Sequence, residues 1–176
     1  MFTNNDEVAQ KLRMIANHGQ KEKYVNQVTG INSRLDTIQA AILSVKLRYL
    51  DDYAKARNQV ALKYDEAFKE EKNIQVPTRS AFSSHVFHQY TLRLTDQVDR
   101  NHVKEELMKK GIPSMVYYPI PNHLQPAYVG YGYKKTDLPT TEWLSERVIS
   151  LPIHTEMQSE VQDYIIENVK SCVHEY

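Results

Sequence analysis

The chain has 176 residues, 22 Lys and Arg against 22 Asp and Glu, and a single cysteine. This length suits one domain, or a small domain with an extension, and the lone Cys172 excludes a disulfide scaffold and favours a reducing, cytoplasmic setting. A net charge of zero provides no field that would hold a polyanion, and no run of about 18 apolar residues or signal-peptide core is present, so we expect neither a nucleic acid nor a membrane as partner.

A helix is predicted near the start of the chain, over residues 6–17. Asn5 and Asp6 are both good N-cap residues, and the pattern ends at His18-Gly19. A polar stretch, 20–29, follows this helix.

Residues 33–50 carry the strongest periodic signal in the chain. Apolar residues recur there at alternating spacings of three and four, which predicts a helix; they are Leu35, Ile38, Ile42, Val45 and Tyr49. Further apolar residues, Leu43 and Leu47 among them, widen the stripe, so one face of this helix can meet another subunit. An ordinary core helix explains the pattern equally well. A second amphipathic helix is predicted over 51–72, separate from the first or continuous with it.

From residue 73 onward, short strands alternate with helices. The strands are predicted at 85–94, 114–118 and 149–153, and the helices at 99–110, 140–148 and 159–173. This order predicts an α+β fold in which long helices precede a small sheet, with helices 99–110 and 159–173 covering one face of it.

The sequence does not favour a metal site, a hydrolase site or a nucleotide-binding site. His85 and His88 would point to opposite faces of a strand, so we expect no metal site there. No Gly-x-Ser-x-Gly motif is present, and Cys172 lies in a predicted amphipathic helix. The five glycines form no phosphate-binding pattern.

Two segments carry many polar groups. The first places Asn32, Ser33 and Arg34 at the start of the predicted helix 33–50, where the backbone N–H groups and the helix dipole favour an anion. Simple capping by Ser33, with Arg34 paired to Asp36 or to another carboxylate, is an equally good interpretation.

The second polar segment, 117–128, combines three prolines with tyrosine, asparagine and histidine. Rigid prolines that hold Tyr118 and His123 in place suit recognition of a hydroxyl-rich ligand. The alternative is a packed structural loop.

Five motifs occur in order along the chain: FTNND at 2–6, LRMIANHG at 12–19, GINSRLDTIQAA at 30–41, YPIPNH at 118–123 and SLPIH at 150–154. Together they resemble the C-terminal half of the DegT/DnrJ/EryC1/StrS family, whose members are pyridoxal 5'-phosphate (PLP)-dependent aminotransferases that act on nucleotide-linked keto-sugars.

The resemblance implies the C-terminal domain of a fold-type I aminotransferase. On this basis, residues 1–32 are a remnant of the large PLP-domain edge, 33–72 are long interface helices, and 73–176 are the small α+β domain. The family's Schiff-base lysine lies upstream of Phe2, so no lysine in this chain matches it. We therefore expect no catalytic residue here, no PLP binding by this chain alone and no transamination without the large domain.

The resemblance also implies site residues. Asn32 matches the residue that reaches the cofactor phosphate of a partner subunit, and Arg34 is a nearby contact to phosphate or substrate. His123 matches a histidine that faces the sugar nucleotide, with Tyr118 beside it, whereas Asn122 replaces an apolar residue of many relatives. A homodimer, or a complementing large-domain chain, is therefore the expected partner.

Two functions remain open at this stage. The first is the C-terminal part of a sugar aminotransferase that uses glutamate as donor in surface-polysaccharide or amino-sugar biosynthesis. The alternative is a non-catalytic binding or assembly module, or one half of a split enzyme.

Overall fold

The chain divides into two units at the junction between Leu50 and Asp51. The computed structural model describes residues 2–175, apart from the side chain of Val129. The junction falls inside the segment 33–72, and the three-part division inferred from the sequence stays a prediction.

The first unit contains two helices and a short hairpin: α1 (Asp6–Ala16), β1 (Gln20–Glu22), β2 (Val25–Asn26) and α2 (Thr37–Leu47). Helix α1 agrees with the predicted bounds, and the Asn5 side chain caps it by accepting a hydrogen bond from the Val8 amide at 3.0 Å. The antiparallel hairpin lies within the polar stretch 20–29. Periodicity predicts no strand there, because the residues show no apolar alternation.

Helix α2 begins four residues later than predicted. Its N-cap is Asp36 and not Ser33, and the Gln39 side chain accepts a hydrogen bond from the Asp36 amide at 3.2 Å. No residue of α2 is buried, although its sequence is largely apolar. Helix α2 ends at Leu47 and the next helix begins at Leu50, so the two are separate elements.

The second unit is built on a three-stranded antiparallel sheet with the order β3-β4-β5, in which β4 is central. Its strands are β3 (Ile74–Gln75), β4 (Tyr90–Leu94) and β5 (Val148–Leu151). Its helices are α3 (Leu50–Phe68), which begins one residue before the junction, α4 (Arg100–Lys109), α5 (Pro139–Ser145) and α6 (Ser159–His174), with two 3-10 turns at Asn122–Leu124 and Pro126–Tyr131.

The core lies between one face of this sheet and helices α3, α4 and α6. Strand β4 alternates strictly, and Tyr90, Leu92 and Leu94 are buried in the core. The helices contribute buried side chains that include Tyr64, Phe68, Val103, Leu107, Ile165, Val169 and Cys172. Across the core, Gln162 Nε2 of α6 donates to the Val60 carbonyl of α3 at 2.8 Å. The predicted α+β fold is confirmed.

Two predicted strands are shorter than expected. The strand predicted over 85–94 includes only Tyr90–Leu94, because the backbone turns at Phe87 (φ 46°), whose amide donates to His85 Nδ1 at 2.9 Å. Phe87 is still buried in the core. In 114–118, Met115 makes an isolated bridge to Ser150 through two backbone hydrogen bonds, of 3.0 and 2.7 Å. Nearby prolines prevent a longer ladder.

Candidate functional site

The second polar segment, 117–128, contributes His123 to two cavities of the second unit. The first, of about 360 Å³, is lined by Tyr118 and His123 on one side and by α5 residues on the other. The second, of about 470 Å³, is lined by Tyr128, Tyr131 and Tyr133. His123 lines both cavities, so it stands at their shared wall.

His123 is held by a carboxylate. Its Nε2 lies 3.0 Å from Glu142 Oε1, and the Thr136 amide donates to the same oxygen at 2.7 Å. The side chains of His123 and Glu142 are 5% and 13% exposed. The hydrogen bond with His123, aided by backbone N–H donors and opposed by burial, lowers the pKa of Glu142.

Local sequence explains the position of each partner. Pro121 precedes the 3-10 turn that carries His123, and the Leu124 amide donates to the Pro121 carbonyl at 2.9 Å. Pro139 occupies the first position of α5, where a missing N–H costs nothing, and this places Glu142 in the first turn of the helix. Tyr118 is 65% exposed, with its ring edge-on to Tyr117.

In the first unit, Asn32 and Arg34 lie next to each other. Arg34 Nε donates to Asn32 Oδ1 at 3.1 Å, and both residues are exposed. This leaves the Asn32 amide nitrogen and the terminal guanidinium nitrogens without partners among the described residues. Both groups are donors of the kind that bind phosphate, so this pair fits the phosphate of PLP.

Backbone pairing fixes the segment that carries Asn32. The His18 amide donates to the Ile31 carbonyl at 2.9 Å, and the Ser33 amide donates to the Ala16 carbonyl at 2.9 Å. A Cβ on Gly30 would lie 2.0 Å from the Gly19 nitrogen, so only glycine permits this approach.

The prediction that these residues sit at a helix N-terminus is wrong. Asn32 and Arg34 precede α2, and the guanidinium of Arg34 contacts Asn32 instead of pairing with Asp36. Asp36 caps the helix in place of the expected Ser33, because an aspartate followed three residues later by glutamine also suits a helix start. The hydrogen-bond donors that favour an anion here are therefore side-chain groups and not the N–H groups of a helix N-terminus.

His85 and Cys172, the other residues considered from the sequence, make contacts within the fold. His85 Nδ1 accepts a hydrogen bond from the Phe87 amide, and the two rings pack with their centroids 4.3 Å apart. Cys172 is buried in the core, and burial raises the pKa of its thiol. Among residues 2–175, no group of three or more His, Cys, Asp or Glu side chains could hold a metal ion.

Tyr118 and His123 thus share one cavity, and Asn32 and Arg34 are hydrogen-bonded to each other in the other unit. Sequence reasoning missed Glu142, since nothing in the sequence indicates that a residue 19 positions beyond His123 will contact it. The acidic residue just inside a proline-initiated helix was a signal only that a helix begins there.

Comparison with known proteins supplies the family context. The model of the DegT/DnrJ/EryC1/StrS aminotransferase family matches residues 1–170. A pleiotropic regulatory protein of Geobacillus stearothermophilus is 42% identical over 96% of this chain and 45% of its own length. The UDP-2-acetamido-2-deoxy-3-oxo-D-glucuronate aminotransferase of Pseudomonas aeruginosa is 40% identical over 88% of this chain and 41% of its own length.

Solved structures agree with this assignment. The crystal structure of DesV from S. venezuelae matches with a TM-score of 0.86 and 32% identity, over 96% of this chain and 45% of that one. Structures described as a sugar aminotransferase of Streptococcus pneumoniae, one in the PLP form and one in the PMP form, are also similar to this chain. The chain therefore spans less than half the length of the relatives it matches. Within residues 2–175, no helix has the length and apolar character needed to cross a membrane.

Proposed function

Because the chain belongs to the DegT/DnrJ/EryC1/StrS aminotransferase family, we propose that it is the C-terminal part of a PLP-dependent enzyme that transfers an amino group from glutamate to a nucleotide-linked keto-sugar. The family match over residues 1–170 carries this proposal. Residues 1–176 supply binding groups in this account, and the Schiff-base lysine belongs to the large domain. The reaction is assigned to the whole enzyme, in a reducing cytoplasm where the buried Cys172 stays a free thiol.

Asn32 and Arg34 are proposed to hold the cofactor phosphate. When bound, PLP supplies an electron sink for the carbon that carries the amino group. The role of this chain is to anchor the phosphate by the Asn32 amide and the Arg34 guanidinium. The resemblance implies that they do so for the cofactor of a partner subunit, which makes the enzyme a homodimer.

His123 and Tyr118 are proposed to bind the sugar nucleotide. His123 is almost fully buried at the wall of two cavities, whereas Tyr118 exposes its ring beside the first. Aromatic surfaces with a few fixed polar groups are typical of small-ligand sites.

A chimera tests the proposal. Residues 2–170 would replace the matching region of the Pseudomonas aeruginosa aminotransferase, and 2-oxoglutarate formation from glutamate would be measured with a set of UDP- and dTDP-linked keto-sugars. We expect turnover by the chimera and none by the 176-residue chain alone. A folded, PLP-loaded chimera that aminates none of these sugars would contradict the proposed function, as would turnover by the chain alone.

Two variants of the chimera separate the binding roles. Asn32→Ala is expected to weaken PLP retention, and His123→Ala is expected to raise the KM for the sugar nucleotide with PLP retention unchanged. Unchanged PLP affinity in Asn32→Ala would count against the phosphate assignment. Glu66→Gln, on an exposed part of α3, is the matched control.

A second candidate function is a non-catalytic assembly module. It is favoured by the exposed apolar side chains on and around α2, which include Ile38 (76% exposed), Ile42 and Leu47. Sedimentation velocity of the chain and of Ile42→Asp tests it. Self-association that the variant abolishes supports a homo-oligomeric module, and a monomer with no affinity for a large domain contradicts it.

A further inference from the structure

We propose that Glu142 is a positioning residue: it fixes the Nε2–H tautomer of His123, so that Nδ1 is presented as a hydrogen-bond acceptor to a hydroxyl group of the bound sugar. The identity of the ligand rests on the proposed function. The tautomer does not, and it can be measured without any ligand.

The tautomer follows from the chemistry of the contact. An ionised carboxylate has only acceptors, so the proton between His123 Nε2 and Glu142 Oε1, which are 3.0 Å apart, belongs to the imidazole. The lowered pKa of Glu142 keeps this carboxylate ionised. A neutral ring with its proton on Nε2 has a lone pair on Nδ1.

The carboxylate itself is held from two directions. The Thr136 amide donates to Glu142 Oε1 at 2.7 Å, which fixes the oxygen that His123 contacts. With a side chain only 13% exposed, Glu142 has little freedom to turn away. Two donors on one oxygen therefore define the direction of the His123 ring.

Trp143, the next residue of α5, anchors the helix on another side. Its Nε1 donates to Asp96 Oδ1 at 3.0 Å, and its carbonyl accepts from the Arg147 guanidinium at 2.8 Å. The guanidinium carbons of Arg93 and Arg147 lie 5.0 and 4.9 Å from the centre of its ring. A side chain held by a well-anchored helix is positioned more accurately than one on a free loop.

Nδ1 of His123 is the ring atom left for a ligand. It has no hydrogen-bond partner in the part of the chain that the structure describes, and His123 lines both cavities. A lone pair accepts from a hydroxyl but repels a phosphate oxygen, because both are acceptors. The contact therefore selects a sugar hydroxyl over the diphosphate of a nucleotide sugar.

Nitrogen-15 NMR of the full chain, labelled at histidine and recorded where the ring is neutral, tests the tautomer. We expect Nδ1 of His123 at the resonance position of a non-protonated nitrogen and Nε2 at that of a protonated one. The reverse pattern, or two averaged resonances, would overturn the proposal.

Variants identify the residue responsible. Glu142→Ala is expected to move the two resonances toward each other, whereas Glu142→Gln, which keeps an oxygen beside the Thr136 amide, is expected to retain the wild-type pattern. Glu146→Gln, at the exposed end of the same helix, is the matched control and should change nothing. A wild-type pattern in Glu142→Ala would show that Glu142 does not set the tautomer.

Addition of UDP-N-acetylglucosamine tests the ligand. Donation from a sugar hydroxyl is expected to shift the Nδ1 resonance and to leave Nε2 nearly unchanged. A shift at Nε2 alone, or no shift at either nitrogen, would overturn the hydroxyl assignment. Because the tautomer is read without ligand, failure of the proposed function and failure of the Glu142 role give different results.

Discussion

Tyr90, on the central strand, donates its hydroxyl hydrogen bond to Asp65 Oδ1 of α3 at 2.8 Å. The other carboxylate oxygen accepts from Arg79 Nε at 2.7 Å, so one aspartate ties a loop, a helix and the sheet together. Burial, followed by this hydrogen bond, raises the pKa of Tyr90. The guanidinium of Arg79 also lies over the Phe87 ring, 4.6 Å from its centre.

Asp65→Ala is expected to destabilise the second unit by about 1–3 kcal/mol, because the buried Tyr90 hydroxyl loses its acceptor. Urea unfolding followed by circular dichroism measures this change. The matched control is Glu66→Ala, since Glu66 is an exposed neighbour whose one ion pair among residues 2–175 is with Lys69, and it contributes about 0.5 kcal/mol or less. Equal stability of the two variants would contradict the central place of Asp65.

Leu107→Ala is expected to lower the free energy of unfolding by about 2–5 kcal/mol. The reason is that this α4 side chain is fully buried in the core, so that its loss leaves a cavity. Met108, its neighbour on the same helix, is 56% exposed. Met108→Ala is therefore expected to change the free energy of unfolding by no more than about 0.5 kcal/mol. Similar losses in both variants would show that α4 packs on a different face.

Gly30→Ala is expected to break the backbone pairing that holds Asn32, since its Cβ would lie 2.0 Å from the Gly19 nitrogen. Hydrogen exchange of the His18 and Ser33 amides should become faster in this variant. Gly130→Ala is the control, because a Cβ there meets no described atom within 4 Å apart from its chain neighbours. Unchanged protection in Gly30→Ala would contradict the pairing.

Glu142 is expected to stabilise the fold at neutral pH and to lose this effect in acid. Its pKa is lowered in the folded state, so its contribution is fully present above the pKa of the unfolded chain and is lost as the pH falls through the folded pKa. The free energy of unfolding of the wild type, minus that of Glu142→Gln, should therefore be positive at neutral pH and shrink in acid. A difference that does not vary with pH would contradict the account.

Much of the fold could be predicted from periodicity. Helices α1, α4 and α6 lie close to their predicted bounds because each has an apolar stripe and a clear start or stop, such as Asn5 or Gly111. The short strands were harder. Phe87 lies in a turn and its side chain is buried in the core. From the sequence alone, such an apolar residue cannot be distinguished from one on a strand.

The candidate site was predictable in residue type but not in contacts. His123 and Asn32 were identified through motifs, whereas their neighbours depend on tertiary structure. The contact between His123 and Glu142 joins residues 19 positions apart in the chain. The pairing of 31–33 with the end of α1 depends on a close approach of two glycines, which apolar periodicity does not indicate. Side-chain pairing of this kind is set by the folded chain.

Borohydride trapping tests the central claim, that residues 1–176 bind ligands but do not supply the Schiff-base lysine. The purified chain would be incubated with PLP and reduced, and any pyridoxyl-lysine would be located by peptide mass. We expect no label, or sparse label spread over exposed lysines. Stoichiometric labelling of a single lysine would contradict the account and make this chain a self-sufficient PLP protein.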